Sequence, residues 1–128
     1  MFVDAVLRQA LEPILRDLKR GGLDEPRVED RDWTGNSETT SAMLWGLDGG
    51  GSGVSVSRSA SSVERIADMA DQVQEWAIED QLWSAGATNW PRCPAHPNTH
   101  PLEAAAVNDK AVWICPMSRE VVAPIGEV

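Results

Sequence analysis

Apolar residues recur near the start of the chain at steps of three and four: Val3, Val6, Leu7, Ala10, Leu11, Ile14, Leu15 and Leu18. At 3.6 residues per turn this spacing draws one stripe along a helix. Asp17, Lys19 and Arg20 are placed off the stripe, and Gly21-Gly22 supplies a C-terminal stop. Pro13 removes a backbone donor and crowds the preceding turn. The chain therefore either kinks there or breaks into two helices with Pro13 opening the second. Because the stripe stays in phase across the proline, one kinked helix is the expectation.

The period then shortens to two. Residues 27–34, 41–47 and 53–58 read as three short strands, joined by Gly35-Asn36-Ser37-Glu38 and Asp48-Gly49-Gly50-Gly51-Ser52, both of hairpin-turn composition. Met43 and Trp45 alternate with Leu44 and Gly46, and Val54 and Val56 with Ser55 and Ser57. Such alternation sends one face to a core and the other to water. The first strand is charged and weakly apolar, as suits an edge.

Ser61 or Ser62 caps the next helix, expected over about residues 62–84, with Glu64 or Arg65 in its first turn. Val63, Ile66, Ala70, Val73 and Ala77 form its buried stripe, flanked by Met69, Trp76 and Trp83, and Gly86 ends it. On the far side Glu64, Asp68, Asp71, Glu75 and Glu79 follow steps of four, three, four and four, which places them in one narrow sector. From Asn89 the chain becomes proline-rich, and both histidines and both cysteines fall in this stretch. Its last part reads as a β-hairpin, with Ala111–Cys115 as one strand and Val121–Ile125 as the other.

The expected architecture is α+β: an N-terminal helix, a three-stranded antiparallel sheet, a long amphipathic helix and a hairpin tail. Residues 1–86 form the α-β-β-β-α body and residues 87–128 a Pro-rich tail packed on it. At 128 residues the chain has room for one domain of ordinary size.

Charge narrows the partners. The 20 acidic residues against 11 basic give a formal net charge of −9, the wrong sign for a phosphate-binding surface. More than half of the excess falls within residues 59–86, along the acidic sector of the second helix. The expected partner is thus a protein with a basic surface, not nucleic acid directly. No apolar run approaches the roughly 20 residues needed to span a bilayer. Asp4 and Arg8 interrupt the first residues, so these do not read as a signal peptide. The expected compartment is the cytoplasm, where thiols stay reduced. Arginine greatly outnumbers lysine, a usage typical of GC-rich, actinobacterial-type bacterial genomes.

Cys93, His96, His100 and Cys115 stand as C-x2-H-x3-H-x14-C. Two thiolates and two imidazoles are natural zinc ligands, and four protein ligands make a closed tetrahedral structural site. Cys93-Pro94-Ala95-His96-Pro97 resembles the CPxCG knuckle of zinc ribbons, with His96 in the second ligand position. Cys115-Pro116 resembles the first half of the opposing knuckle, whose second ligand position is Ser118 here. The resemblance covers about residues 90–126 and implies structural zinc, with His100 supplying the missing ligand from the loop. Pro97 and Pro101 keep the two histidines off a common helix, which excludes an H-E-x-x-H metalloprotease. Two free buried thiols beside surface histidines, or a disulfide, are the alternatives without metal.

Other motifs are quieter. The glycine run is followed by a strand rather than a helix and has no lysine, so it reads as a turn and not a phosphate loop. The serines between 52 and 62 suit a solvated strand face and a cap. Six tryptophans are assigned mostly to packing: Trp33, Trp45, Trp76 and Trp113 to the core, and Trp83 and Trp90 to the junction of helix and tail. Exposed at that junction, the last two would instead form a protein-binding hot spot.

Three functions fit these residues. The first is a non-enzymatic interaction or adaptor protein with structural zinc, docking through Asp68, Asp71, Glu75 and Glu79 together with Trp83 and Trp90. Its element order and acidity look like those of small secretion chaperones and toxin-neutralising immunity proteins. The second is a zinc-dependent hydrolase using His96, His100 and Cys115 around an exchangeable water, with Glu103 as base. The third is an acidic mimic of nucleic acid that occupies a nucleic-acid-binding protein.

Overall fold

A computed structural model describes residues 4–82 and 89–128 of the chain. Its elements run α1 (Ala5–Arg20), β1 (Arg27–Asp30), β2 (Thr39–Trp45), β3 (Gly51–Ser57), α2 (Ser62–Ala77), β4 (Glu103–Val107), β5 (Lys110–Ile114) and β6 (Val121–Pro124). The fold is α+β, with two antiparallel three-stranded sheets ordered β1-β2-β3 and β4-β5-β6.

Helix α1 runs through Pro13 without a break. Asp4 caps it by accepting from the Val6 amide, and the Arg58 guanidinium beside Asp4 holds that carboxyl below its usual value. The C-terminal stop forms at the two glycines. Gly22 adopts a φ of 75°, its amide donates to the Lys19 carbonyl, and the Leu23 amide reaches back to the Leu18 carbonyl. Those two bonds satisfy carbonyls that the helix end would leave unpaired. Leu7, Ala10, Leu11, Ile14 and Leu18 are buried as the stripe requires. Asp17 is a correction to the off-stripe placement: three residues beyond Ile14, it is fully buried.

In the first sheet Thr40, Ala42 and Leu44 of β2 face inward with Val54 and Val56 of β3, in the register Ala42↔Val54 and Thr40↔Val56. β1 lies at an edge and ends at Asp30, short of the expected 34. Two tryptophans assigned to the core lie elsewhere. Trp33 is 47% exposed, its indole N–H shared between the carbonyls of Ala42 and Val54. Trp45 is half-buried on the outer face with Met43, where Arg27 lies over its ring and Glu29 accepts from its N–H. The glycines explain both positions. A Cβ at Gly53 would stand 2.6 Å from the Trp33 ring, and one at Gly51 would stand 2.6 Å from that of Trp45. Part of the glycine run is therefore a floor for indoles and not only a turn.

Ser61 caps α2 by accepting from the Glu64 amide, as the S-x-x-E spacing suggests. After Ala77 the helix continues as a π-helical turn, Ile78–Leu82. Trp83 and Gly86 lie outside the described residues. Gln72 of α2 closes the free edge of β3, its amide oxygen accepting from the Ser55 N–H and its nitrogen donating to the Ser55 carbonyl. A sheet edge thus ends on a side chain rather than on water.

Body and tail share one core. The buried set runs from Leu7 and Ile14 through Met69, Val73 and Trp76 to Leu102, Trp113 and Ile125. Trp90 meets Trp113 edge to face at 6.3 Å and is only 8% exposed, so it staples helix and tail instead of offering a docking surface. Gln74 carries the join, its buried Nε2 donating to the carbonyls of Trp90 and Leu102. Gln74→Leu leaves both carbonyls without that donor. The expected loss is about 1–3 kcal/mol, read as a lower urea midpoint at unchanged slope.

The tail sheet holds one strand more than its expected hairpin. β4 pairs with β5 across Asn108-Asp109, both at positive φ. This is the geometry of a tight two-residue hairpin, for which Asn and Asp are suited.

Candidate metal centre

The tail reaches its chemistry by folding two loops against each other. After Trp90 the backbone pairs with itself, Arg92 bridging Pro101 and the Leu102 amide donating to the Pro91 carbonyl at 2.7 Å. Within that closed loop the His96 amide donates to the Cys93 carbonyl and the Thr99 amide to the His96 carbonyl. Two successive turns therefore swing both histidines to the side of Cys93. From the other direction β5 delivers Cys115 at its end. The next turn closes as the Arg119 amide donates to the Cys115 carbonyl at 2.7 Å, with Arg119 at a φ of 65°.

The result is a cluster of Cys93, His96, His100 and Cys115 whose ligand atoms all lie within 4.8 Å of one another, a possible metal site. Cys93 Sγ and Cys115 Sγ each lie 3.6 Å from His96 Nδ1, and Cys115 Sγ is 3.9 Å from His100 Nε2. Metal–sulfur bonds near 2.3 Å and metal–nitrogen bonds near 2.0 Å set the edges of a tetrahedron at about 3.5 Å. The three sulfur–nitrogen separations stand close to that edge.

The surroundings prepare the ligands. His100 Nδ1 lies 3.1 Å from the Pro101 carbonyl. A proton on Nδ1 makes that hydrogen bond and leaves the Nε2 lone pair free for a metal. The Cys115 thiol is held down to about 6, chiefly by hydrogen bonding from the Ser118 side chain and then its backbone. The Ser118 amide is 3.5 Å from the sulfur. Ser118 thus hydrogen-bonds to the Cys115 sulfur. Both cysteines are free and buried, and the histidines are half-buried.

Glu103, the carboxylate closest in sequence, is committed elsewhere: its Oε2 accepts from Arg119 at 2.8 Å. Glu64, Asp68, Asp71, Glu75 and Glu79 are all exposed along one face of α2 and its π-helical continuation. The Asp68 carboxyl is raised, first by partial burial and then by the neighbouring Asp71. A second acidic group gathers where Asp80 meets Asp48 and Asp24, and burial followed by those neighbours raises Asp80 too. Of the residues assigned to docking, the four acids share the α2 face, Trp90 is inside the fold and Trp83 is not described.

Sequence reasoning passed over Gln72 and Gln74 and placed Asp17 off the buried stripe. Asn108-Asp109 was the signal available for β4, and the three-residue step from Ile14 was the signal for Asp17. No described helix is long and apolar enough to cross a membrane. Comparison with protein-family models, curated proteins and solved structures gives no match to this chain.

Proposed function

We propose that the protein is a non-enzymatic interaction module whose tail is pinned by structural zinc and whose acidic α2 face docks a basic protein. The convergence of four side-chain donors within 4.8 Å of one another, with sulfur–nitrogen separations of 3.6–3.9 Å among them, carries this reading. Two sulfurs and two imidazole nitrogens suit zinc among the divalent ions. Zinc held there would link the Cys93–His100 loop to the end of β5, a covalent-like tie between segments 15 or more residues apart in the chain. The zinc-ribbon resemblance of both loops belongs to the same reading. A closed donor set favours a structural role over a hydrolytic one, which needs an open position for water. The engagement of Glu103 with Arg119 points the same way.

The docking half rests on the exposed run of carboxylates, since one-signed charge steers the encounter with an oppositely charged surface. Replacing Asp68, Asp71, Glu75 and Glu79 by Asn and Gln is expected to leave the melting temperature nearly unchanged, as exposed substitutions do. The same variant is expected to lose a basic protein that co-purifies with the native chain at low salt. Retention of that protein by the variant would reduce the acidic face to a solvated surface. Metal analysis of chain purified without chelators tests the other half, with one zinc per chain expected.

A further inference from the structure

The four donors of the cluster are divided unevenly between the two loops. Cys93, His96 and His100 stand on one, and Cys115 alone comes from the other. Any tie between the end of β5 and the first loop through this site must therefore act through the Cys115 sulfur. The chain has only one other cysteine, Cys93, and its sulfur lies within 4.8 Å of that of Cys115. The turn after Cys115 reads Pro116-Met117-Ser118, so no thiol there competes for it. One intramolecular disulfide, and no other, is open to this chain.

The two cysteines are also placed to move. Cys93 lies in the loop after Trp90, and Cys115 follows directly on β5, both outside regular structure. Closing their sulfurs to a bonding distance of about 2 Å is a movement of about 3 Å at most, shared by two loop residues. Both side chains are buried, but His96 and His100 beside them are half-buried. The cluster thus borders water at its imidazoles, which gives a small neutral oxidant a short approach.

We propose that the tail has two interchangeable ties at this site: zinc held by all four donors under reducing conditions, and a Cys93–Cys115 disulfide formed by hydrogen peroxide with release of the metal. The proposal rests on the structural-zinc reading and adds redox control to it. One thiolate sulfur attacks a peroxide oxygen; an S–O bond forms, the O–O bond breaks, and hydroxide leaves. The second thiolate attacks the resulting sulfenic sulfur; an S–S bond forms, and a second hydroxide leaves. The sulfur pair has lost two electrons, the peroxide has gained them, and two protons from solvent turn the hydroxides into water. A disulfide offers no thiolate, so only two imidazoles remain for the metal. Because the new bond joins the same two loops, loss of zinc does not release the tail. Two cysteines on one loop would instead close that loop on itself and free the other.

The test treats the full zinc-loaded chain, freed of reductant, with hydrogen peroxide beside a chromogenic zinc chelator, with a peroxide-free control. Zinc release is expected in step with loss of both thiols and a tryptic product joining Cys93–Lys110 to Ala111–Arg119. The peptide map separates this bond from oxygen added at the exposed Met117. The oxidised, metal-free chain should melt about 5–10 °C above reduced chain stripped by chelator. Dithiothreitol with zinc should restore the starting metal content, and Cys93→Ser should gain no stability from peroxide. Zinc retained through the treatment, or lost with sulfinic acid or intermolecular dimers in place of the joined peptides, overturns the exchange and leaves structural zinc standing. So does an oxidised chain that melts with the stripped one. Absence of zinc before the oxidant is added overturns both.

Discussion

On the zinc-pinned reading of the tail, replacing Cys115 by serine is expected to abolish metal binding there and to lower the melting temperature by on the order of 10 °C or more. Cys115 Sγ touches both histidine nitrogens of the cluster, at 3.6 and 3.9 Å, so its loss removes the corner that joins the two loops. A metal present at a thousandfold excess over its dissociation constant contributes roughly 4 kcal/mol to stability. For a domain of this size each kcal/mol corresponds to a few degrees. Cys93→Ser should behave alike. His100→Ala should be milder than either cysteine variant, because three ligands remain and water can complete the shell. A chelator added to the native chain should reproduce the Cys115→Ser melting curve and leave the variant's own curve unmoved. Stoichiometric zinc at native affinity in Cys115→Ser would refute the four-ligand site.

That site was legible in the sequence because ligand chemistry is local. Cys, His and Pro at short spacing declare both the residue types and the turns that present them. What the sequence does not show is how the side chains meet: that His96 Nδ1 and His100 Nε2 stand against cysteine sulfurs, and that the Ser118 amide stands against the Cys115 sulfur. Those follow from the way two loops meet across the fold, and no spacing within either loop encodes it.

The helices and the first sheet were legible for a similar reason, since each element's period is a local property. Errors arose where a third body intervenes. Trp45 was expected inside because tryptophan is large and apolar, yet of the two alternating faces it is the one carrying Leu44 that is buried. Trp33 could not be positioned without knowing that Gly53 would clear space for its ring two strands away. The glutamines were passed over because an amide on a helix looks solvated until the backbone it serves is known. For Gln72 that backbone is Ser55, and for Gln74 it is Trp90 and Leu102.

Asp17→Ala is expected to be among the most destabilising substitutions in the chain, at roughly 3–5 kcal/mol. Taken as a residue off the apolar stripe, Asp17 would be a surface aspartate whose loss costs under about 0.5 kcal/mol. The structure assigns it the opposite role. Its carboxyl is fully buried and accepts three hydrogen bonds from residues about a hundred positions away: Trp113 Nε1 at 2.8 Å, the Gly126 amide at 2.8 Å and the Val128 amide at 3.0 Å. The first two fall on Oδ2 and the third on Oδ1. Alanine leaves the Trp113 and Gly126 donors buried without an acceptor and the half-buried Val128 amide without its partner. Asparagine keeps the shape but has one oxygen, so either orientation turns an NH2 group toward at least one of those donors. Asp17→Asn should therefore cost about 2–4 kcal/mol and fail to rescue. Gly126, at a φ of 104°, lies close enough that an added Cβ would stand 3.2 Å from Pro13 Cβ. The buried proline of α1 and the chain after β6 are thus fitted to each other around this carboxyl. Trp113→Phe removes one donor and keeps most of the ring, so it should cost less in the Asp17→Ala background than alone. A coupling of 0.5–3 kcal/mol is the expected range for groups in direct contact. Urea titrations of the four proteins, all with saturating zinc so that the metal centre contributes equally, measure it. Asp17→Ala within 1 kcal/mol of the native chain, or strict additivity with Trp113→Phe, would show that the carboxyl does not join α1 to the tail.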